Sequence, residues 1–97
     1  MPTHDEGAEL QLLTQQPVRG LLPFRARLKP GGTIEGGVAH SGEEFIHCLA
    51  GVVELRVVDT EHQLHAGDTA SYPDRLPHSY HNRDTEDAVL IGATIRG

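Results

Sequence analysis

The sequence has 97 residues, 37% of them hydrophobic, and its net charge is −6 with neutral histidines. This length supports one domain with a modest core but not two. We expect no membrane span, because the sequence lacks an apolar run of about eighteen residues. We expect no signal peptide, because the start is not basic and then apolar. Nucleic-acid binding is not expected either, because the lysines and arginines do not cluster. The single cysteine excludes an internal disulfide bond, and the cytoplasm is the expected compartment.

Short runs of β-branched and aliphatic residues alternate with turn signals along the chain. Residues 1–7 are predicted to be a flexible tail, and residues 8–97 a single domain. No window keeps a helical apolar period for three turns, so no long helix is expected. The pattern predicts an all-β sandwich or barrel. The turn signals lie at Lys29–Gly32, Glu35–Gly37, Asp59–Glu61, Ala66–Asp68, Pro73–Pro77 and Asn82–Asp87.

Two of these runs alternate between apolar and polar residues. In "FRARLK", residues 24–29, the apolar side chains share one face and the basic side chains the other. The run "VVELRVV", residues 52–58, behaves in the same way. A period of two is typical of antiparallel strands with one buried and one solvated face. The residues predicted to point inward are Phe24, Ala26, Leu28, Val53, Leu55 and Val57.

The segment "GGVAHSGEEFIHCLAG", residues 36–51, concentrates potential metal ligands in a run that otherwise resembles a strand. Ile46 and Cys48 are typical core residues, so the period of two places His40 and Glu44 on the inner face with them. A buried carboxylate needs a positive partner, and a metal ion beside the small Gly42 would supply one. The alternative is that His40 lies in the loop before the strand and Glu44 reaches solvent.

A further ligand is available in "YPDRLPHSYHN", residues 72–82. His78 begins a predicted strand after a proline-bracketed turn, and Tyr80 and Asn82 share its face. Two histidines and one glutamate form the 2-His-1-carboxylate set, which favours a mononuclear site with open positions, typically for non-haem iron(II). The predicted metal ligands are therefore His40, Glu44 and His78.

These two segments resemble the paired motifs of the cupins, a family of small double-stranded β-helix (jelly-roll) barrels. The resemblance covers about residues 20–95 and implies an antiparallel cupin barrel with metal ligands His40, Glu44 and His78. The matching positions are residues 36–44 and Gly51 in the first motif, and Gly67, Pro73, His78 and Asn82 in the second.

Two positions depart from the family pattern. Gly42 stands where many cupins have the second histidine of His-x-His, so three of the usual four ligands remain. Arg75 stands where the second motif has glycine. The His-Ser-Gly-Glu-Glu form is similar to cupin domains that follow a helix-turn-helix in bacterial transcriptional regulators. It is also similar to hydroxypropylphosphonate epoxidase, an iron enzyme whose three ligand positions are all present here.

Four functional hypotheses remain open at the level of sequence. The first is a metal-binding cupin that binds a small molecule as a sensor, without turnover. The alternative is a mononuclear non-haem iron dioxygenase or other oxidative enzyme. An isomerase or lyase would have only Tyr80 as a candidate catalytic proton carrier, and a metal-free barrel would use the same histidines to hydrogen-bond Glu44. Fe²⁺ is the favoured cofactor, with Zn²⁺, Mn²⁺ or Ni²⁺ as options, and a homodimer is expected because exposed sheet edges need covering.

The remaining candidates are expected to have ordinary roles. Tyr72 is a candidate pocket-lining residue, with barrel packing as the alternative, and Cys48 is expected to be a small core residue. The other histidines are expected on outer faces or in solvent: His4, His47, His62, His65 and His81.

Overall fold

The computed structural model describes residues 7–14, 19–36 and 42–95. Within these ranges no helix has the length and apolar character needed to cross a membrane. The described residues form nine strands: β1 (Ala8–Leu12), β2 (Leu21–Leu28), β3 (Thr33–Gly36), β4 (Glu43–Ala50), β5 (Val52–Val57), β6 (Thr60–His65), β7 (Thr69–Pro73), β8 (His78–His81) and β9 (Ala88–Ile95).

The strands form two antiparallel sheets that face each other. The five-stranded sheet has the order β1-β2-β9-β4-β7, and the four-stranded sheet has the order β3-β8-β5-β6. Strands that follow one another in the chain often lie in different sheets, as β3, β4 and β5 do, which is the jelly-roll arrangement. The inner faces of both sheets contribute to one core. The predicted all-β jelly-roll barrel is confirmed.

The predicted alternation of buried and exposed side chains is also confirmed. Phe24, Ala26 and Leu28 of β2 are buried, as are Val53 and Leu55 of β5. Val57 is partly buried and packs against the same core. Local periodicity was sufficient here because each strand presents alternate residues to the sheet that faces it.

Strand β4 lies between β9 and β7 and carries the change from an apolar to a polar interior. Its inner face runs from Cys48 and Ile46, which are fully buried, to Glu44, which is 7% exposed. Glu43 and Phe45 lie on the outer face and are exposed. The interior of the barrel therefore has an apolar end and a polar end.

Gly51 forms the turn between β4 and β5 at the apolar end. Its φ of +75° lies in the left-handed region, which glycine adopts without strain. A β-carbon at this position would lie 2.9 Å from the Cα atom of Ala88 in β9. The glycine of the first motif is therefore required both by its conformation and by the close approach of another strand.

The hairpin between β5 and β6 turns at Val58 and Asp59, one residue earlier than the sequence predicts. Val57 pairs with Thr60, which leaves a two-residue loop. Val58 has a φ of +56°, an unusual conformation for a β-branched residue. Its N–H donates a hydrogen bond to the Pro77 carbonyl at 2.8 Å, so a contact outside the hairpin fixes this turn.

The predicted tail stays a prediction, because residues 1–6, with His4, lie outside the described residues. The predicted domain of residues 8–97 also stays a prediction. The carbonyl of Gly7 accepts a hydrogen bond from the N–H of Lys29 at 2.8 Å. This contact ties the start of β1 to the end of β2.

Candidate metal centre

Strands from both sheets bring polar side chains together at the polar end of the barrel. In the five-stranded sheet, Glu44 of β4 lies opposite Tyr72 of β7 on one side and Thr94 of β9 on the other. His78 and Tyr80 reach the same place from β8 in the facing sheet. Residues far apart in the sequence are therefore placed together by strand register.

The carboxylate of Glu44 is the centre of this group. The hydroxyls of Tyr72 and Tyr80 both donate hydrogen bonds to its Oε1 atom. The hydroxyl of Thr94 donates to Oε2 at 2.8 Å. A carboxylate that is almost fully buried is stable only with such partners, and these hydroxyls supply them.

His78 presents one ring nitrogen to the carboxylate and is held by the other. Its Nδ1–H donates to the carbonyl of Leu76 at 2.8 Å, since a carbonyl can only accept. Its Nε2 atom lies 3.3 Å from Oε1 of Glu44. A backbone hydrogen bond to the far nitrogen is the usual way in which a metal-binding histidine is oriented.

Asp74 is the third buried member of the group, and it is not among the metal ligands that the sequence predicts. Single ligand atoms of Glu44, Asp74 and His78 all lie within 4.8 Å of one another. The N–H of Asp74 donates to the carbonyl of Gly42 at 3.1 Å, which joins the loop after β7 to the start of β4. Continuing the period of two from Tyr72 would have placed Asp74 inside, but the flanking prolines indicated only a turn.

The charge states follow from burial and from these contacts. Burial by itself would raise the pKa of Glu44, but the hydrogen bonds from its neighbours outweigh it and lower that pKa. Burial would lower the pKa of His78, whereas the hydrogen bond with Glu44 and the Leu76 carbonyl raise it overall. Burial is the largest cause of the raised pKa values of Tyr72 and Tyr80, and the charge of Glu44 adds to it. Both phenols are therefore hydrogen-bond donors at neutral pH.

The donor set and its spacing fit a divalent cation. Two ligands at about 2.1 Å from one metal and at right angles lie about 3 Å apart, and opposite ligands about 4.2 Å apart. The separation of 3.3 Å between His78 and Glu44 agrees with the first value. The distance of 4.8 Å, within which the ligand atoms of Glu44, Asp74 and His78 all lie, is close to the separation of opposite ligands. Imidazole and carboxylate ligands together suit iron, zinc, nickel or manganese.

The other predicted residues have varied positions. His40 lies outside the described residues, so its role as a ligand stays a prediction. Tyr80 and Tyr72 both contact Glu44, so both belong to the site. The ring of His47 pairs with the hydroxyl of Thr69 at 2.7 Å, away from the cluster. The remaining described histidines are also apart from it: His81 pairs with Thr33, and His62 and His65 are exposed.

Comparisons with known proteins agree with this architecture. The sequence model of the Cupin_2 family, described as the cupin domain, matches residues 24–93. The chain is a member of the cupin family. No curated protein matches its sequence significantly.

Solved structures that resemble this cupin share its fold at low sequence identity. The cupin domain of an XRE family transcriptional regulator from Enterobacter cloacae has a TM-score of 0.88 and 16% identity, over 95% of this chain and 99% of that one. An HTH_3 family regulator from Vibrio cholerae has a TM-score of 0.83 and 22% identity, over 94% and 52%. Oxalate oxidase in complex with the substrate analogue glycolate has a TM-score of 0.81 and 17% identity, over 93% and 51%.

Proposed function

We propose that this cupin binds a divalent metal ion and, at the metal, a small molecule, and that it acts as a sensor or ligand-binding module. The observation that carries the proposal is the buried convergence of Glu44, Asp74 and His78 beside two tyrosine hydroxyls. Glu44 and His78 are proposed as ligands in either case, and the set is completed by Asp74 or by the predicted ligand His40. Fe²⁺ is the favoured ion, because nitrogen and oxygen ligands with open positions are typical of non-haem iron sites.

The side chains around the site have separable tasks. The Leu76 carbonyl holds His78 in the tautomer whose Nε2 can bind a cation. Tyr72 and Tyr80 donate their hydroxyl hydrogens to one oxygen of Glu44, and Thr94 fixes the second oxygen, so the carboxylate is held in one orientation. The metal, when bound, would supply a Lewis acid for an oxygen of the small molecule.

Metal binding can be measured from the fluorescence of the protein's own tyrosines. Its only two tyrosines are Tyr72 and Tyr80, and it has no tryptophan, so near-ultraviolet absorption and emission come mainly from the site. Adding Fe²⁺ anaerobically, or Zn²⁺ in air, is expected to change tyrosine emission with saturation at one ion per chain. Plasma spectrometry should give the same stoichiometry.

Variants identify the ligands. His78→Ala is expected to reduce metal affinity at least tenfold, whereas His47→Ala, on the outer face of β4, should leave it unchanged. Asp74→Asn and His40→Ala then show which of these two residues completes the set. Unchanged metal content in His78→Ala would mean that the cluster is not the metal site.

A metal-free barrel is the competing explanation for the same contacts. Glu44 already accepts hydrogen bonds from Tyr72, Tyr80 and Thr94, which satisfies its charge in the absence of metal. In that case neither ion changes tyrosine emission, and the thermal midpoint does not rise with added metal. A metal-binding site requires the midpoint to rise with ion concentration.

A mononuclear iron oxidative enzyme is the second candidate function. The N and O donor set around His78 and Glu44 favours it, and the fold neighbour oxalate oxidase is a cupin-fold enzyme. The test is oxygen consumption by the iron-loaded protein with a panel of small carboxylic acids and phenols. Metal bound at full stoichiometry without oxygen uptake would favour the binding module.

We also propose that the homodimer forms through the outer face of the five-stranded sheet. The apolar part of this face consists of residues that are exposed or half-buried, and Arg25, Arg27 and Glu43 lie beside it on the same face. The outer face of the four-stranded sheet carries Glu54, Arg56 and His81. With strands of five or eight residues at about 3.4 Å per residue and about 4.8 Å between strands, the whole face has an area of about 550 Å², roughly two thirds of the 800 Å² or so that each partner buries in a stable complex. The apolar face comprises Leu21, Phe45, Leu49, Ile91 and Ile95.

Oligomeric state tests this surface directly. Light scattering after size-exclusion chromatography should give twice the chain mass for the wild type and a single chain mass for Phe45→Glu combined with Ile95→Glu. Ser79→Glu on the opposite sheet is the matched control and should remain dimeric. A wild type that stays monomeric up to the highest soluble concentration would contradict the proposal.

A further inference from the structure

The described residues form a cavity that the candidate metal ligands Glu44, Asp74 and His78 do not line. It is a cleft of about 600 Å³ between β6 and β7, the edge strands of the two sheets. This volume is within the range of about 300–1,000 Å³ that small-molecule sites occupy. Neither Glu44 nor His78 lines it.

Among the described residues, the lining of the cleft carries no acidic or basic side chain other than one imidazole. Its floor is apolar and includes Leu55, Leu64 and Leu76, and its rim has the hydrogen-bonding groups of Thr60 and His62. The whole chain has 14 acidic and 8 basic residues, so a charge-free lining stands out from its surface. Burying a charged ligand here would leave that charge without a partner.

One end of the cleft is formed by a residue in a strained conformation. Val58 lines the cleft, is about half exposed and has a φ of +56°. Its N–H is held by the Pro77 carbonyl, and its own carbonyl accepts a hydrogen bond from Arg56 Nε at 3.3 Å. A strained β-branched residue in an exposed turn gives nothing to the core, so its isopropyl group is better explained by contact with a ligand.

Tyr72 connects the cleft with the candidate metal centre. The residue lines the cleft, and its hydroxyl donates to Glu44. A molecule in the cleft would therefore pack against the same side chain that positions the carboxylate.

We propose that this cleft binds a neutral, largely apolar small molecule that carries a hydroxyl or carbonyl group. The apolar body packs on the leucines and on Val58, and the polar group pairs with Thr60 or His62 at the rim. The proposal does not rest on the bound metal, because none of the described candidate ligands Glu44, Asp74 and His78 lines the cleft.

Two fluorescent probes with a common skeleton test the charge preference. N-phenyl-1-naphthylamine is neutral, and 1-anilinonaphthalene-8-sulfonate adds a sulfonate to the same rings. The neutral probe is expected to bind at least tenfold more tightly than the anion, with saturation at one site per chain. Equal affinity for both probes, or no binding of the neutral probe, overturns the proposal.

A pair of histidine variants locates the probe. Residues of one strand alternate between faces, so His62 lies on the cleft side of β6 with Leu64, and His65 lies on the other side. His62→Trp should reduce affinity for the neutral probe at least tenfold, and His65→Trp should leave it within twofold. Metal stoichiometry should be unchanged in both, which separates this test from that of the metal site.

Val58→Gly gives a test in which stability and binding move in opposite directions. Glycine accepts the positive φ, so the thermal midpoint should rise. Affinity for the neutral probe should fall at least threefold, because the apolar wall is lost. If Val58→Gly raises the thermal midpoint and leaves the affinity for the neutral probe unchanged, the cleft does not hold a small molecule. Conversion of a dimer to a monomer by His62→Trp would lead to the same conclusion.

Discussion

Two buried polar side chains, Asn82 and Glu44, lie toward opposite ends of the barrel and have different kinds of partners. Asn82 is fully buried, and its Nδ2 donates to the carbonyls of Leu28 and Glu86 while its Oδ1 accepts from the N–H of Asp84. These partners are all main-chain atoms. Glu44 is held by side chains, namely two phenols, a hydroxyl and an imidazole.

The difference separates a structural role from a chemical one. Main-chain partners belong to the fold itself, so Asn82 fixes the loop after β8 against the end of β2. Side-chain partners can rotate and exchange protons, so the group around Glu44 can accommodate a cation or a ligand. Substitutions at the two ends should therefore change stability and metal binding independently.

The largest loss of stability is expected for Asn82→Ala. The change removes three hydrogen bonds and leaves buried main-chain groups without partners, which together should cost about 3 kcal/mol. Urea unfolding measures the loss, and exposed Gln63→Ala should change it by less than about 0.5 kcal/mol. The number of metal ions bound per folded chain should be unchanged. A loss of metal binding would mean that the two ends of the barrel are coupled.

Two glycines near the Asn82 end sharpen the comparison. Gly51→Ala adds strain at positive φ and a clash with the Ala88 backbone, so about 2–3 kcal/mol should be lost. Gly67 also has a positive φ, but a β-carbon there meets no atom within 4 Å, so Gly67→Ala should cost only about 1 kcal/mol. Thermal unfolding of both variants measures the two losses of stability. Equal losses would show that the positive φ of Gly51, and not its contact with Ala88, explains the need for glycine.

Glu44→Gln should have a small effect on stability and a large one on binding. The amide keeps an oxygen for the phenols and turns its NH₂ group toward Thr94, so the free energy of unfolding without metal should fall by about 1 kcal/mol or less. Metal affinity should fall at least tenfold, because the charged ligand is lost. A loss of several kcal/mol together with unchanged metal content would assign Glu44 a structural role like that of Asn82.

Cys48 provides the smallest expected effect, which depends on pH. Burial raises the pKa of its thiol, and the carbonyls of Ala50 and Gly51 lie near its Sγ atom. The unfolded chain loses this proton first, near pH 8.5. The free energy of unfolding should therefore be unaffected below that pH and decrease above it. Cys48→Ala is the control, and the decrease should be steeper in the wild type.

Much of the site was accessible from local sequence patterns. The period of two placed Glu44 on the inner face of its strand, and His78 and Tyr80 together on theirs, because neighbouring residues in a strand point to opposite sides wherever the strand lies. The resemblance of the two motifs to those of the cupins also implied the jelly-roll barrel. The side of a strand that each residue faces depends on a few adjacent residues, which the sequence by itself determines.

Other features were decided only by the tertiary structure. Asp74 follows a proline in a turn, and only the pairing of β7 with β4 places it beside Glu44 and His78. The convergence of Tyr72 and Tyr80 on one oxygen depends on the packing of two sheets, and the cleft depends on where their edge strands part. Contacts between distant segments follow from strand register and sheet packing, and neither is encoded in the local alternation of side chains.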